Sequence, residues 1–224
     1  VAAVLEKGFR MIPLLGVPTL TRHDLCDRML ASIDYPVQDL LVIDNKPNDW
    51  EPKKPGLVQR LHHVRLPQNL GVAGSWNLII KCSPFAPSWL IVNDDVVFEP
   101  GALGIMAGAL RSDALQFMEV QPKWAAFAIG EDVVQRVGLF TELLHPAYFE
   151  DNDFERRANA LDIDIEQVPA RVWHDNSSTL QSGFDILNHK SFKANAETYN
   201  ARSVGEIMTG GEWDLAIRRD LSWD

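Results

Sequence analysis

The stretch from Trp89 to Phe98, WLIVNDDVVF, constrains the fold more than any other part of the chain. Its unbroken apolar run reads as a buried strand, and it closes on adjacent carboxylates, Asp94 and Asp95. Carboxyl ends of strands are where open α/β sheets gather their ligands. Two ionised acids side by side repel each other. A hard cation such as Mg2+ or Mn2+ relieves that repulsion and keeps positions free for phosphate oxygens. The competing reading is a helix start, with Asp or Asn capping orphan amides ahead of Pro100 and Gly101 and no metal involved.

Length and charge narrow the setting. With 224 residues, 46% of them hydrophobic, the chain can bury a sizeable core, and one α/β domain accounts for it. The formal charge of -10, without a block of like charges, argues against nonspecific attraction to nucleic-acid phosphates or an anionic membrane. Cys26 and Cys82 lie far apart and form no CxxC pair, so a reducing, cytoplasmic setting is the expectation. No apolar run reaches the length of a membrane span, and an acid and two bases interrupt any signal-peptide core in VAAVLEKGFRMIPLL, a start whose missing Met fits processing or a truncated boundary.

Short β-rich runs alternate with helix-like segments, the pattern of a mostly parallel sheet flanked by helices. Phe9 to Val17 reads as the first strand, and Thr21 or Asp24 starts a helix with Leu25, Met29, Leu30 and Ile33 at helical spacing. Asp39 to Asn45 reads as a second strand ending on Asp44, and KPNDWEPKKPG as an exposed loop. A short third strand is expected at Val64 to Asn69, with His62 and His63 just before it. Gly71 to Ser83 is expected as a helix, WLIVNDD as the fourth strand, Gly101 to Arg111 as a helix, WAAFAIG as a fifth strand, and a further helix near Asp151. Trp76, Trp89 and Trp124 fall in core elements. Trp173 and Trp213 suit a core or, as the alternative, a platform for sugar faces.

Several short motifs recur in a telling order: IPLLGVPTLTRHDLCDRMLASI, LVIDN, NLGVAGSWN, the NDD cluster, GLFTELLHPAYFEDNDFERRA and WHDNSST. Together they resemble the family 2-like glycosyltransferases. The resemblance implies a GT-A-type α/β fold, with a Rossmann-like nucleotide-sugar-binding half over residues 1–100 and an acceptor and catalytic-base half over 101–224 of one domain. It implies transfer of a sugar from a nucleoside diphosphate sugar to an acceptor hydroxyl, with a divalent metal, Mn2+ or Mg2+, and inversion at the anomeric carbon.

Each motif also has a physical reading. Asp44 and Asn45, where a strand opens into a loop, could bond a nucleobase or ribose or simply close a turn. Pro13 and Thr19 are assigned by the resemblance to a loop lining the nucleotide pocket. Glycines in NLGVAGSWN let backbone amides approach a diphosphate, and the resemblance puts Asn69, Gly71 and Asn77 along the donor pocket. In the DXD-type cluster Asn93 stands where a first acid is common. Asp95 is then the first metal ligand, and Asp94 bonds the ribose or a metal-bound water. Glu150, Asp151 and Asp153 crowd a helix start, where the helix dipole alone favours acids. An inverting transfer also needs a carboxylate beside the acceptor hydroxyl. The resemblance gives Asp151 that role, Glu150 an orienting one, and leaves Asp153 to cap or to pair with Arg156 or Arg157. His174 completes the metal site by the same resemblance. His23, His145 and His189 read as loop or helix-surface residues. In the C-terminal segment, Gly205, Gly210 and Gly211 suit a mobile loop and Arg202 could reach the diphosphate, while DLAIRRDLSWD could be a packing helix.

The acceptor can be a glycan, lipid-linked sugar, protein or modified nucleobase, and a homo-oligomer is possible. Two alternatives remain: a noncatalytic sugar-nucleotide or glycan-binding module, and a sugar-phosphate nucleotidyltransferase, which would normally carry an N-terminal Gly-rich basic loop that this sequence does not show.

Overall fold

The computed structural model describes residues 11–46, 48–175 and 185–201. Expectations resting on Phe9, Arg202, Gly205, Gly210, Gly211, Trp213 and the closing DLAIRRDLSWD lie outside the described residues.

In chain order the elements are β1 (Ile12–Thr19), α1 (His23–Ala31), β2 (Val37–Asp44), β3 (Val58–Arg65), α2 (Gly71–Cys82), β4 (Ser88–Val92), β5 (Val96–Phe98), α3 (Ala102–Ala109), β6 (Ala114–Glu119), β7 (Ala126–Gly130), α4 (Glu131–Val137), α5 (Glu150–Ala160), β8 (Asp164–His174) and α6 (Asp185–Asn200). The strands order as β3-β2-β1-β4-β7-β6-β8-β5 in one eight-stranded sheet. The first four are mutually parallel, β7 runs antiparallel to β4 and β6, and β8 lies parallel to β6 and antiparallel to β5. The parallel half of the sheet therefore passes into a mixed half at β7.

Apolar continuity explains the central strands: all five residues of β4 are buried, because helices cover both faces. On one face α1 and α3 pack Cys26, Met29, Leu103 and Met106 against β1 and β2. On the other, α2, α4 and α5 bring Trp76, Ile79, Val134 and Phe154 against β4 and β7. Gly16 in β1 allows α2 this close. A Cβ there would sit 2.4 Å from Ile79 Cγ2. Trp76, Trp89 and Trp124 are buried as expected.

Three expectations need correction. The third strand is Val58–Arg65 instead of residues 64–69, so His62 and His63 lie within it; it is an edge strand, mostly exposed and without an apolar run to mark it. ALQFME forms β6, a strand that the sequence reading missed. Trp173 is 59% exposed on β8 and does not join the core. No helix among the described residues is long and apolar enough to cross a membrane.

Candidate active site

The parallel half delivers its strand ends to one edge. Register places Thr19, the last residue of β1, opposite Asp44, the last of β2, and β4, which pairs with β1, ends at Val92, just before Asn93. The Asn93 N–H donates to Ala125 O at 2.8 Å, and Thr19 Oγ1 donates to Asp94 Oδ2 at 2.7 Å. Asp94 and Asp95 are both buried. Burial pushes the Asp94 carboxyl up to about 7; the Thr19 bond opposes that rise and the neighbouring Asp95 charge adds to it.

Past Asp95 the chain turns into β5, whose antiparallel pairing sets Val96 opposite His174 of β8. The Asp175 N–H donates to Asp95 O at 3.1 Å, and Arg28 holds the Asp175 carboxylate from α1. His174 Nε2 consequently lies 3.0 Å from Asp95 Oδ1, while Nδ1 faces Gln121 O at 3.2 Å. Burial disfavours a charged ring here, but the bond to Asp95 and its charge outweigh it and hold the imidazole above its ordinary pKa.

The second acid pair opens α5. A buried ion pair locks this helix: Arg157 Nε donates to Asp153 Oδ2 at 2.9 Å, and its other nitrogens reach Val137 O and Leu139 O at 2.7 and 2.9 Å. Of the two partners considered for Asp153, the structure therefore selects Arg157. Glu150 is buried, and its Oε2 has no hydrogen-bond partner. Burial pushes its carboxyl up to about 8, with the Asp151 charge contributing and a backbone hydrogen bond opposing. Asp151 is part-exposed; burial raises its pKa as well, against the Asn152 N–H that donates to its Oδ1 at 2.8 Å.

Both acid pairs face one cavity of about 600 Å3, within the range of small-molecule sites. Thr19, Asn45, Asn69, Gly71, Asn93, Asp94, Asp95, Glu150, Asp151 and His174 all line it. Gly71 is required where it stands, with φ +75° and a Cβ position only 2.5 Å from Pro146 O.

Three other candidates are placed elsewhere. Pro13 is the second residue of β1, about 20 Å of strand away from Thr19. Asp44 is fully buried and turned toward Asn48, which donates to its Oδ2 at 2.9 Å, and toward His23 and His63 at 3.4 and 3.5 Å. Asn77 ties α2 to the segment before α5, bonding Phe140 O, Phe140 N and Glu142 Oε1, each at 2.9 Å. The sequence reading missed the wall made by Trp76, Trp124, His145, Pro146, Ala147, Tyr148 and Ser191. For His145 to Tyr148 the one signal was position, since HPAYF leads directly into the acids of α5. Among the described residues, no group of three or more His, Cys, Asp or Glu side chains is arranged to hold a metal ion.

No protein-family model matches the chain, and no curated protein matches its sequence. Solved structures do match. Staphylococcus aureus TarS aligns over 75% of this chain at 16% identity and TM-score 0.56, and TarS residues 1–349 in complex with UDP-GlcNAc over 72% at 14% and 0.55. GalNAc-T7 with UDP, GalNAc and Mn2+ aligns over 73% at 10% identity and TM-score 0.58. The catalytic domain of Drosophila β1,4-galactosyltransferase 7, in complex with xylobiose, aligns over 70% at 10% and 0.51. This chain spans 37% of the TarS chain, 58% of TarS 1–349, 44% of GalNAc-T7 and 65% of the galactosyltransferase domain. These neighbours share a mixed, helix-flanked sheet with this chain, and the chain has the GT-A glycosyltransferase fold.

Proposed function

We propose that the protein is a metal-dependent, inverting glycosyltransferase that moves a sugar from a nucleoside diphosphate sugar to an acceptor hydroxyl within a single domain. The observation that carries this reading is the convergence of two acid pairs, one from a strand end and one from a helix start, on a single cavity. UDP and Mn2+ in the GalNAc-T7 complex and UDP-GlcNAc in the TarS complex support a nucleotide-sugar donor.

The chemistry of the donor set fits a divalent cation. Asp95 offers a carboxylate and His174 an imidazole, and the Nδ1 bond to Gln121 O fixes the ring so that Nε2 faces Asp95. Two protein ligands are enough where substrate phosphates supply the others. The cavity wall includes four carboxylates and, among the described residues, neither Lys nor Arg, so a diphosphate needs another source of positive charge. When bound, such a cation would act as a Lewis acid and neutralise charge on the departing nucleoside diphosphate.

The protein's own groups divide the remaining work. Asp94, oriented by Thr19, receives the ribose; Asn69 and Gly71 line the donor side. Asp151 takes the proton from the acceptor hydroxyl as that oxygen attacks the anomeric carbon, and its raised pKa makes it a stronger base than an ordinary Asp. Glu150, held neutral near pH 7, orients the hydroxyl as a hydrogen-bond donor. Positioning and charge stabilisation then carry most of the rate. Two unbridged cysteines are compatible with a reducing cytoplasm.

Melting the protein with UDP, GDP, dTDP and CDP sugars, each with and without Mn2+, tests the donor half, because a ligand that binds only the folded state raises its stability. A Mn2+-dependent shift for one nucleotide, followed by slow donor hydrolysis, is the expected result. Folded protein that shifts with none of them rejects the reading.

A further inference from the structure

The segment that leads into the catalytic helix is held in a conformation its side chains disfavour. Tyr148 and Phe149 are consecutive, bulky and left-handed, at φ +81° and +74°. Non-glycine residues rarely enter that region, and where they do the surroundings must impose it, often at functional sites. The imposing element here is α6. Its Asn195 is buried and donates through Nδ2 to Leu144 O at 2.7 Å and Ala147 O at 2.8 Å, clamping the segment. Phe149 packs on Phe192 and Tyr199, at ring-centroid distances of 5.1 and 5.4 Å.

One ring of the pair is used in this packing, and the other is turned to the cavity. Tyr148 lines the cavity wall two residues ahead of Glu150 and three ahead of Asp151. Phe192 meets it edge-on at 5.2 Å, remains 48% exposed, and follows Ser191, which also lines the cavity. A large aromatic left half in water against a cavity-lining Tyr148 is not explained by the core.

We propose that Tyr148 and Phe192 form the acceptor subsite and that its occupant is the apolar C–H face of an uncharged pyranose. Aromatic side chains combine a flat apolar body with, in tyrosine, a polar tip, which suits a sugar ring with a C–H face and a hydroxyl rim. Charge selects within the possible acceptors. Beside the Asp151 carboxylate the described lining offers no Lys or Arg to receive a phosphate or a uronic acid, which leaves a neutral acceptor unopposed. The inference deepens the transferase reading and rests on its assignment of Asp151 as base.

The test is saturation-transfer NMR with methyl glycosides of glucose, galactose, N-acetylglucosamine, xylose and rhamnose. Methyl glucuronide and the peptide Gly-Ser-Gly serve as charged and peptidic competitors. Each is titrated into wild type, Phe192→Ala, Phe192→Tyr and Tyr148→Leu, in parallel with the UDP and Mn2+ melting shift. The expected result is binding of at least one neutral glycoside through its ring protons, weakened about fivefold to tenfold in Phe192→Ala and Tyr148→Leu and restored in Phe192→Tyr, with the nucleotide shift unchanged. Equal affinity in all variants, preference for glucuronide or peptide, no neutral glycoside bound, or a parallel loss of the nucleotide shift overturns the subsite. Variant-sensitive glycoside binding by a wild type that shows no shift with any nucleotide supports the subsite and rejects the transfer reading alone.

Discussion

Asp94 and Asp95 end a strand, whereas Glu150 and Asp151 begin a helix, and the two pairs are held by different means. The strand-end pair is fixed locally and by register: Thr19 bonds Asp94, and the β5–β8 ladder carries His174 to Asp95. The helix-start pair has less polar support, with Glu150 Oε2 lacking a partner and the approach to the helix imposed by packed aromatic rings. Both environments raise a carboxyl pKa by burial, Asp94 to about 7 and Glu150 to about 8. The first pair has an imidazole at 3.0 Å, His174, held above its ordinary pKa by Asp95, whereas the second feels a cation only through the charge of Lys123 on Asp151. The difference suits two tasks: one pair can meet phosphate and metal, while the other handles a proton.

Substitutions should separate these tasks. Asp151→Asn is expected to have the largest effect, lowering transfer by about 10^2 to 10^4-fold while the nucleotide melting shift stays intact. A parallel loss of nucleotide binding would break the division between the two pairs. Asp95→Ala should do the reverse, with the Mn2+-dependent part of the nucleotide shift lost and metal affinity down by at least about tenfold. Asn77→Ala should cost about 1–3 kcal/mol in denaturant unfolding by leaving the polar groups of Phe140 and Glu142 without their partner. Because Asn77 lies outside the cavity, nucleotide affinity in the folded variant should not change.

A further expected effect depends on pH. Glu150 titrates at about 8 when folded against an ordinary 4.5, so the folded state keeps a proton that the unfolded chain releases. Its contribution to stability is therefore full below about pH 4.5 and is lost as pH rises through 8. Glu150→Gln removes this loss. Its stability gain over wild type should grow from pH 5 to pH 8.5 by up to about 4 kcal/mol; a gain identical at both ends would show that the carboxyl is already ionised in the folded protein.

The two regions also differed in how far sequence revealed them. WLIVNDD announces a buried strand and its acids because burial demands apolar side chains at every position, and Thr19, Asn45 and Gly71, singled out by the resemblance and by their strand-to-loop positions, line the cavity. Edge strand β3 was displaced in the reading because exposure removes that demand: VQRLHHVR has only Val58 fully buried. Asp44 stands at the expected strand end, yet its direction is set by Asn48, His23 and His63, which no spacing rule links to it. Asn77 was assigned to the donor pocket and bonds instead to residues more than sixty positions away. The aromatic wall was illegible for a similar reason. HPAYF looks like an ordinary loop until α6 closes over it, and that long-range packing, not local propensity, sets the backbone of Tyr148 and Phe149.

The pairing of β5 with β8 also sets a timetable. Asp95 emerges from the ribosome 79 residues before His174, and the two meet only when β8 has zipped along both β6 and β5. Long-range pairings of this kind close late, because the loop entropy must be met before the contact stabilises anything. A chain cut short before residue 174 could thus complete its parallel half and still lack the Asp95–His174 contact, so under the proposed function nucleotide binding would report that synthesis and folding had passed β8.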